Sequence, residues 1–186
     1  MSDMENSTML GSFADPETLA GQFGVTEGMK TADFGSGSGH LGIAVAKRVG
    51  KDGIVYAYDI MESALEAIRG RASALGLANI DARRANLEVA GSTGLPDGSV
   101  DLVWMALILF QSQKKADIVR EARRILKPGA RMIIIDWIKG GGGLGPPDEL
   151  RTDEETMKGL IVAEGFELFN RANTDSFHYM MTFKKI

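Results

Sequence analysis

A turn that carries three alternate glycines, Gly35, Gly37 and Gly39, constrains this chain more than any other feature of its sequence. It follows an apolar strand pattern and precedes a helical pattern that begins near His40. Glycine has no Cβ, so the backbone of such a turn can adopt positive φ and approach a ligand closely. The amino terminus of the helix then presents unpaired N–H groups to an anionic part of that ligand. The pattern therefore predicts a strand, a turn and a helix that together bind a small molecule.

Two carboxylates flank this turn and restrict the choice of ligand. Asp59 ends the next strand, where a carboxylate can accept hydrogen bonds from both hydroxyls of a ribose. The run from Gly37 to Gly42 also matches the dinucleotide fingerprint, but a single match of that kind is weak evidence. Beside Asp33 a diphosphate would cost about 1 kcal/mol in water and about 4 kcal/mol at a partly buried site, whereas an amine would be attracted. The two acids therefore favour S-adenosylmethionine over NAD(P), while a purely structural role for Asp33, holding the turn through backbone N–H groups, stays open.

The chain otherwise alternates between helical and strand patterns, which is typical of a parallel sheet with helices on both faces. Asp15 starts a helix with proline in its first turn, and Thr152 opens a capping box for the last helix. The Lys-Pro-Gly triplet at 127–129 is expected to end a helix before a buried strand over 131–137. The chain is then expected to end in a hairpin that turns near 174–176. The predicted fold class is α/β, a doubly wound, Rossmann-like three-layer sandwich.

Composition limits the organisation of the chain and its partners. With 186 residues, of which 44% are hydrophobic, the chain can form one well-buried domain but not comfortably two. We expect a flexible arm over 1–14 and a single domain over 15–186. The formal charge of −4 gives no general attraction to nucleic acid or anionic membranes. The basic pair at 123–124 is expected to belong to a solvated helix face.

The residue types and segments that the sequence lacks exclude further kinds of site and further cellular locations. The chain has no cysteine, so disulfides, thiolate metal sites and thiol nucleophiles are excluded, and we expect no metal site. No apolar run approaches the roughly 20 residues that cross a bilayer, and the amino terminus lacks the basic start and apolar core of a secretory signal. These features predict a soluble, cytoplasmic protein that binds neither nucleic acid nor membranes.

Several motifs, in the same order, resemble those of the class I S-adenosylmethionine-dependent methyltransferases over nearly the whole chain. Asp33-Phe-Gly-Ser-Gly-Ser-Gly39 matches the first motif of that family, and Asp59 matches its ribose-binding acid. Leu95-Pro-Asp-Gly-Ser-Val-Asp-Leu-Val103 resembles the approach to its fourth strand, and Arg124-Ile-Leu-Lys-Pro-Gly-Ala130 resembles a later motif. The chain is most similar to the small methyltransferase-domain group related to ubiquinone and menaquinone biosynthesis methyltransferases. The resemblance implies a seven-stranded, mostly parallel sheet whose last strand is antiparallel.

The same resemblance implies a place for each part of S-adenosylmethionine. The methionine half would lie against Asp33 and the glycine turn, the ribose hydroxyls would bind Asp59, and the adenine would be flanked by Ile60 and Met61. Asn86 stands where the family often has an acid that accepts from the adenine amine; its carbonyl can accept that bond without charge, and an ordinary loop role is equally open. The predicted cofactor residues are Asp33, Gly35, Gly37, Gly39, Asp59, Ile60, Met61, Asn86, Leu87, through its backbone N–H, and Met105, at the floor of the methyl-transfer site.

Methyl transfer from a sulfonium asks little of side chains, because in-line placement of the reactants can itself supply roughly 7–11 kcal/mol. A base would help if the acceptor were a phenol or another hydroxyl. His40, Asp136 and His178 are the candidates near the carboxyl edge of the sheet, although packing explains His40 more simply and a place in a terminal strand explains His178. The apolar run over 106–111 could line an acceptor pocket, but the buried start of a helix is the favoured interpretation.

The sequence favours a small-molecule acceptor without identifying it. No Asn-Pro-Pro-aromatic motif is present, which argues against planar amides and exocyclic base nitrogens, and the absence of thiolates argues against trivalent arsenic. A small substrate could be covered by three segments, residues 1–14, 106–113 and 140–147. The sequence is also compatible with a protein substrate that docks on an open face, or with a homodimer whose partner completes the pocket. A catalytically silent S-adenosylmethionine-binding module or activating subunit, and a NAD(P)-binding Rossmann protein, are the alternative functions.

Overall fold

The computed structural model describes residues 15–140 and 145–186. The arm expected over 1–14 lies outside the described residues, as do residues 141–144 of the loop that was expected to cover the site. Five α-helices lie within the described residues: α1 Pro16–Gln22, α2 His40–Val49, α3 Glu62–Ala74, α4 Lys115–Ile125 and α5 Glu154–Ala163. The strands are β1 Lys30–Phe34, β2 Ile54–Asp59, β3 Ile80–Arg84, β4 Val100–Ala106, β5 Leu126–Trp137, β6 Phe166–Asn173 and β7 His178–Lys185. Short 3₁₀ turns cover Leu109–Gln111 and Asp148–Leu150.

The seven strands form one sheet in the order β3-β2-β1-β4-β5-β7-β6. Neighbouring strands from β3 to β5 are parallel, and β7 is antiparallel to both β5 and β6. The predicted α/β class, the seven strands and the antiparallel last strand are all confirmed. The hairpin expected at the end of the chain is the β6–β7 pair.

Helices pack on both faces of the sheet, because alternate residues of each central strand point to opposite sides. Leu102 and Trp104 of β4 pack in the same cluster as residues of α1 and α2. Val103 and Met105, one position along, belong to the cluster that contains α4 and α5. The three-layer arrangement predicted from the alternating pattern is therefore confirmed.

The place where a ligand can bind follows from the strand order. The chain proceeds from β1 to β3 on one side of the sheet and then crosses to β4 on the other side of β1. Such a switch point opens a crevice at the carboxyl ends of the two strands. Asp33 lies on β1 at this point, with Ala57 and Trp104 as its neighbours in the flanking strands. The glycine turn leaves β1 directly above it.

Two local expectations are corrected by the structure. Asp15 caps α1 as predicted, accepting from the Thr18 amide at 2.9 Å, but the cap of α5 is Asp153, not Thr152. The triplet 127–129 does not end α4 by itself, because α4 stops at Ile125 and β5 already begins at Leu126. The register between β4 and β5 shifts at this triplet, so the sheet absorbs it as an irregularity.

Candidate functional site

The three glycines of the turn have different roles although all have positive φ, of 77°, 50° and 79°. A Cβ on Gly35 would overlap the side chain of Ile108, and a Cβ on Gly39 would overlap Ile68. Nothing lies within 4 Å of the Cβ position at Gly37. Gly35 and Gly39 are therefore required by packing within the protein, whereas Gly37 borders open space. This space is where the predicted ligand would approach the backbone.

Asp59 connects the end of β2 to the glycine turn. Its carboxylate accepts from the Gly37 amide at 2.9 Å and from the Met61 amide at 3.0 Å. A carboxylate has about four acceptor positions, so two stay available for ribose hydroxyls. Sequence reasoning had assigned only the ribose role. The structure adds that Asp59 also holds the turn in place.

Ile60 and Met61 form an exposed apolar pair next to this carboxylate. Their exposed fractions are 56% and 59%, which is high for large apolar side chains. An adenine ring would cover such a surface, so their placement fits the predicted contact with the base.

Asp33 is buried, with an exposed fraction of 2%. Burial, together with the nearby charge of Asp59, raises the pKa of Asp33 well above its usual value, and the indole of Trp104 opposes this increase only in part. Its Oδ2 lies 3.1 Å from the position of a Cβ on Gly42, so the absence of a side chain there makes room for the carboxyl group. Within the described residues, no backbone N–H lowers its pKa by hydrogen bonding, so the purely structural interpretation has no support. A cation placed beside Asp33 would favour its ionised form.

The segment after β3 contains Asn86 and Leu87, which were predicted to contact the adenine. Ala85 donates its amide to the Asp59 carbonyl at 3.1 Å, which brings this segment to the same edge of the sheet. Asn86 is exposed, and its Oδ1 accepts from the Glu88 amide at 3.1 Å. Leu87 is buried in the core. The side-chain oxygen of Asn86 thus already has one partner and retains one free lone pair for an adenine amine.

The segment after β4 differs from the sequence expectation. Residues 107–111 do not begin α4, which starts at Lys115. The last three of them, Leu109–Gln111, form a separate 3₁₀ turn, and only Leu109 of the five is fully buried. Leu107 has φ 58°, a rare value for a branched side chain and one that often marks a functional segment. Met105, expected at the floor of the site, has an exposed fraction of 1% and packs in the core.

Asp136 fixes this segment from β5. Its Oδ2 accepts from the Phe110 amide at 3.1 Å and its Oδ1 from the Trp137 amide at 2.8 Å. Burial raises the pKa of Asp136 to about 6, against the opposing effect of these hydrogen bonds and of Lys115. Both oxygens are thus engaged with backbone groups, which makes Asp136 a residue that positions the 107–111 segment.

The two histidines lie in different surroundings. His40 is half-buried at the first residue of α2, and burial together with the charge of Arg71 lowers its pKa, so its imidazole is neutral at neutral pH. His178 is buried against the Trp137 ring at 4.3 Å, and its Nδ1 lies 2.8 Å from Asp175. The structure therefore places His40 beside the glycine turn and His178 within the β5–β7 pair, and does not bring the candidate bases together.

A buried charge network was missed by the sequence reasoning. Glu121 accepts from the Thr93 hydroxyl at 2.6 Å, from the Gly91 amide at 2.8 Å and from Arg124. Arg124 also pairs with Asp97 at 2.7 Å, and only 25% of its side chain is exposed. Of the basic pair expected on a solvated face, Arg123 is therefore exposed, whereas Arg124 is not. These bonds lower the pKa of Glu121 to about 2 in spite of its burial. The i, i+3 spacing of Glu121 and Arg124 was the available signal.

Within residues 15–140 and 145–186, no helix combines the length and the apolar character that crossing a membrane requires. Among the same residues, no three or more acidic or histidine side chains are grouped so that they could hold a metal ion.

A doubly wound sheet with one antiparallel strand, a glycine turn at its switch point and two carboxylates around that turn define a class I S-adenosylmethionine-dependent methyltransferase. Residues 25–182 match the model of the family described as "Methyltransferase domain", and the chain belongs to that family. The predicted class and cofactor, S-adenosylmethionine, are confirmed at this level.

Individual relatives agree with this assignment. The chain is 31% identical to an arsenite methyltransferase of Aquipseudomonas alcaligenes over 82% of its own length and 47% of that protein. It is 31% identical to the ubiquinone/menaquinone biosynthesis C-methyltransferase UbiE of Azotobacter vinelandii over 77% of its length and 68% of that protein. A solved S-adenosylmethionine-dependent methyltransferase from Aquifex aeolicus superposes with a TM-score of 0.85 at 28% identity, covering 94% of this chain and 91% of that one. The chain thus spans about half the length of the first of these curated relatives.

Proposed function

We propose that this chain transfers the methyl group of S-adenosylmethionine to a small organic molecule. The observation that carries the proposal is the pairing of a buried carboxylate, Asp33, with the open space at Gly37. Such a carboxylate is costly to ionise in the ligand-free protein and is stabilised by a bound cation. The α-amine of S-adenosylmethionine supplies that cation, whereas the phosphates of a dinucleotide would repel it.

The remaining residues fit the other parts of the same molecule. Asp59 binds the ribose hydroxyls with the acceptor positions that Gly37 and Met61 leave available. Ile60 and Met61 cover the adenine, and the amino terminus of α2, which has no side-chain cap, faces the carboxylate. When bound, S-adenosylmethionine supplies an electrophilic methyl group on its sulfonium.

The acceptor side is formed by the 107–111 segment. Asp136 holds its Phe110 amide, and Ile108 packs on Gly35, so this segment is fixed relative to the glycine turn. Such fixation places the acceptor and excludes water, which is the main requirement of an in-line displacement. For an acceptor with an ionisable hydroxyl, the neutral imidazole of His40 is the group that can take the proton.

The relatives support a small-molecule acceptor. UbiE acts in ubiquinone and menaquinone biosynthesis by its name, and a quinone-like ring would suit the apolar side chains of the 107–111 segment. Similarity to an arsenite methyltransferase does not favour arsenite for this chain, because its sequence has no cysteine to bind trivalent arsenic. We therefore propose an organic acceptor of low polarity.

The test combines binding with turnover. Calorimetry with S-adenosylmethionine and with its demethylated product measures binding, and product release is then measured over a panel of quinols, phenols, amines and small proteins. The Asp59→Ala substitution removes charge-assisted bonds worth about 1.5–3 kcal/mol, so affinity should fall about ten- to a hundredfold.

Asp52→Ala is the matched control, because Asp52 is an exposed acid in the turn before β2, with 68% of its side chain exposed. Since Asp59 also holds the Gly37 amide, circular dichroism should confirm that the variant is folded. Unchanged affinity in Asp59→Ala would show that the ribose binds elsewhere. Binding without turnover on any panel member would instead favour a silent binding module.

A further inference from the structure

A second groove lies on the edge of the sheet opposite the glycine turn. This open groove is bordered by the carboxyl ends of α4 and α5, the approach to β4 and the end of β7, and its volume is about 600 Å³. Because β4 has seven residues, the two edges are about 20 Å apart at 3.3 Å per residue. The groove is therefore separate from the cofactor site. Its charged lining residues are Asp97, Arg120, Arg123, Arg124, Glu164 and Lys185.

Two of the four cations in this groove are neutralised by carboxylates of the chain. Arg120 forms a two-pronged pair with Glu164, with both bonds at 2.8 Å. Arg124 pairs with Asp97 at 2.7 Å and with the buried Glu121 at 2.8 Å. Both acidic residues of the lining, Asp97 and Glu164, are used in these pairs.

Arg123 has no such partner. Within the described part of the chain, its guanidinium forms neither an ion pair nor a side-chain hydrogen bond. Its Nε lies 2.7 Å from the position of a Cβ on Gly165, so the side chain crosses the turn between α5 and β6 where that turn has no side chain. The guanidinium is thus held at the groove by packing and not by a counter-charge.

Lys185 is the second uncompensated cation. Its ammonium donates to the carbonyls of Arg123 and Leu126, both at 2.6 Å, at the carboxyl end of α4. Burial and then the positive charge of Arg123 lower the pKa of Lys185, against the opposing charge of Asp97. No carboxylate of residues 15–140 or 145–186 forms an ion pair with Lys185.

We propose that this groove binds a compact anion with two or more negative charges, such as a phosphate ester or a polycarboxylate. An anion between Arg123 and Lys185 relieves their repulsion, and the arginine fork binds phosphate or carboxylate oxygens in a two-pronged geometry. The volume lies within the usual range of small-molecule sites. A nucleic acid is a poor occupant, because the chain has a net charge of −4 and the groove offers only these two cations without a carboxylate ion pair.

The experiment titrates the full chain with sodium pyrophosphate and, separately, with sodium citrate, following heat of binding and Tm. Sodium chloride at matched ionic strength is the control for screening. Saturable binding of pyrophosphate alone identifies a phosphate site, and saturable binding of citrate alone identifies a carboxylate site. Either result supports the proposal, whereas two titrations that do not exceed the chloride control overturn it.

Variants then locate the site. Arg123→Gln is expected to weaken binding at least tenfold, and Lys185→Gln should act in the same direction. Arg123→Lys keeps the charge and should retain part of the affinity. Lys51→Gln, at a lysine with 87% of its side chain exposed, is the matched control and should bind as the original chain does. Since Lys185 also caps α4, Arg123→Gln decides the matter: unchanged affinity in that variant overturns the assignment of the groove.

Discussion

Replacing Asp33 with asparagine separates the requirements of binding from those of stability. Asparagine has nearly the same shape as aspartate but cannot carry the charge. This carboxyl group is 2% exposed, and burial and the charge of Asp59 raise its pKa. A residue with a raised folded-state pKa opposes folding once it is forced to ionise, so its contribution to stability is complete at low pH and is lost as pH rises through that pKa. The Asp33→Asn variant should therefore be more stable than the original chain at neutral pH.

The magnitude of the binding loss follows from the same burial. An ammonium about 4 Å from a carboxylate is stabilised by about 4 kcal/mol at an effective dielectric constant of 20. Part of this energy is used to ionise Asp33, whose pKa is raised, so the net loss in the variant should be smaller. We expect about 2–3 kcal/mol, or roughly a 30- to 150-fold decrease in affinity for S-adenosylmethionine. For a chain of this size, each kcal/mol of relief should raise Tm by about 2–4 °C.

Calorimetry and thermal melts at several pH values test both effects. The affinity of the original chain should decrease as pH falls through the folded-state pKa of Asp33, because the ionised form binds the amine. The variant should lack that pH dependence, and its gain in Tm should shrink toward low pH. Asp52→Asn, at an exposed acid, is the control. A variant that is less stable at neutral pH and binds S-adenosylmethionine with unchanged affinity would refute the assignment of Asp33.

Three further substitutions test other parts of the structure. Gly37→Ala should retain the fold, because its Cβ would meet no other part of the protein, but it should reduce cofactor affinity at least tenfold, because the Cβ would occupy the space proposed for the ligand. Gly76→Ala, also at positive φ with no neighbour within 4 Å, is the calorimetric control. Glu121→Gln should lower stability by about 2 kcal/mol, hence Tm by roughly 4–8 °C, whereas Arg120→Gln at an exposed pair should change it little. The pKa of Glu121 is lowered to about 2, so the ionised carboxylate stabilises the folded chain at neutral pH. The difference in unfolding free energy between the Gln variant and the original chain should therefore narrow as pH falls from 4.5 toward 2. A difference that stays constant over this range would contradict the network. Burial raises the pKa of Asp136 to about 6. At pH values below 6 the carboxylate that holds the 107–111 segment is protonated, so turnover of the original chain should decrease there. An Asp136→Asn variant whose turnover decreases over the same acidic range would exclude this role.

The sequence predicted the features that depend on local chemistry. Asp15 as a helix cap and the glycine turn between β1 and α2 follow from residue types at fixed spacing, and the structure confirms them. Asp59 was predicted to end a strand for the same reason, and it is the last residue of β2; its role toward a ribose stays a prediction. The number of strands and the antiparallel last strand came from the family resemblance.

Features that depend on distant contacts could not be predicted in this way. The different roles of Gly35 and Gly37 depend on Ile108, which is more than seventy positions away in the chain and packs on only one of them. The burial of Asp136, and hence its pKa, depends on the 107–111 segment, whose turn the sequence pattern assigned to a helix. Arg124 was assigned to the solvent because its partner Asp97 lies on a separate loop.

The contact between Ile108 and Gly35 has a consequence for how acceptor preference could be changed. The isoleucine occupies the volume that any side chain on Gly35 would need, so the segment proposed to face the acceptor packs directly on the turn proposed to hold the methyl donor. A larger residue at position 108 would push on that turn, and a smaller one would leave a void beneath it. Efforts to redirect this protein toward new acceptors should therefore vary Leu107 and Phe110 first and keep Ile108 unchanged.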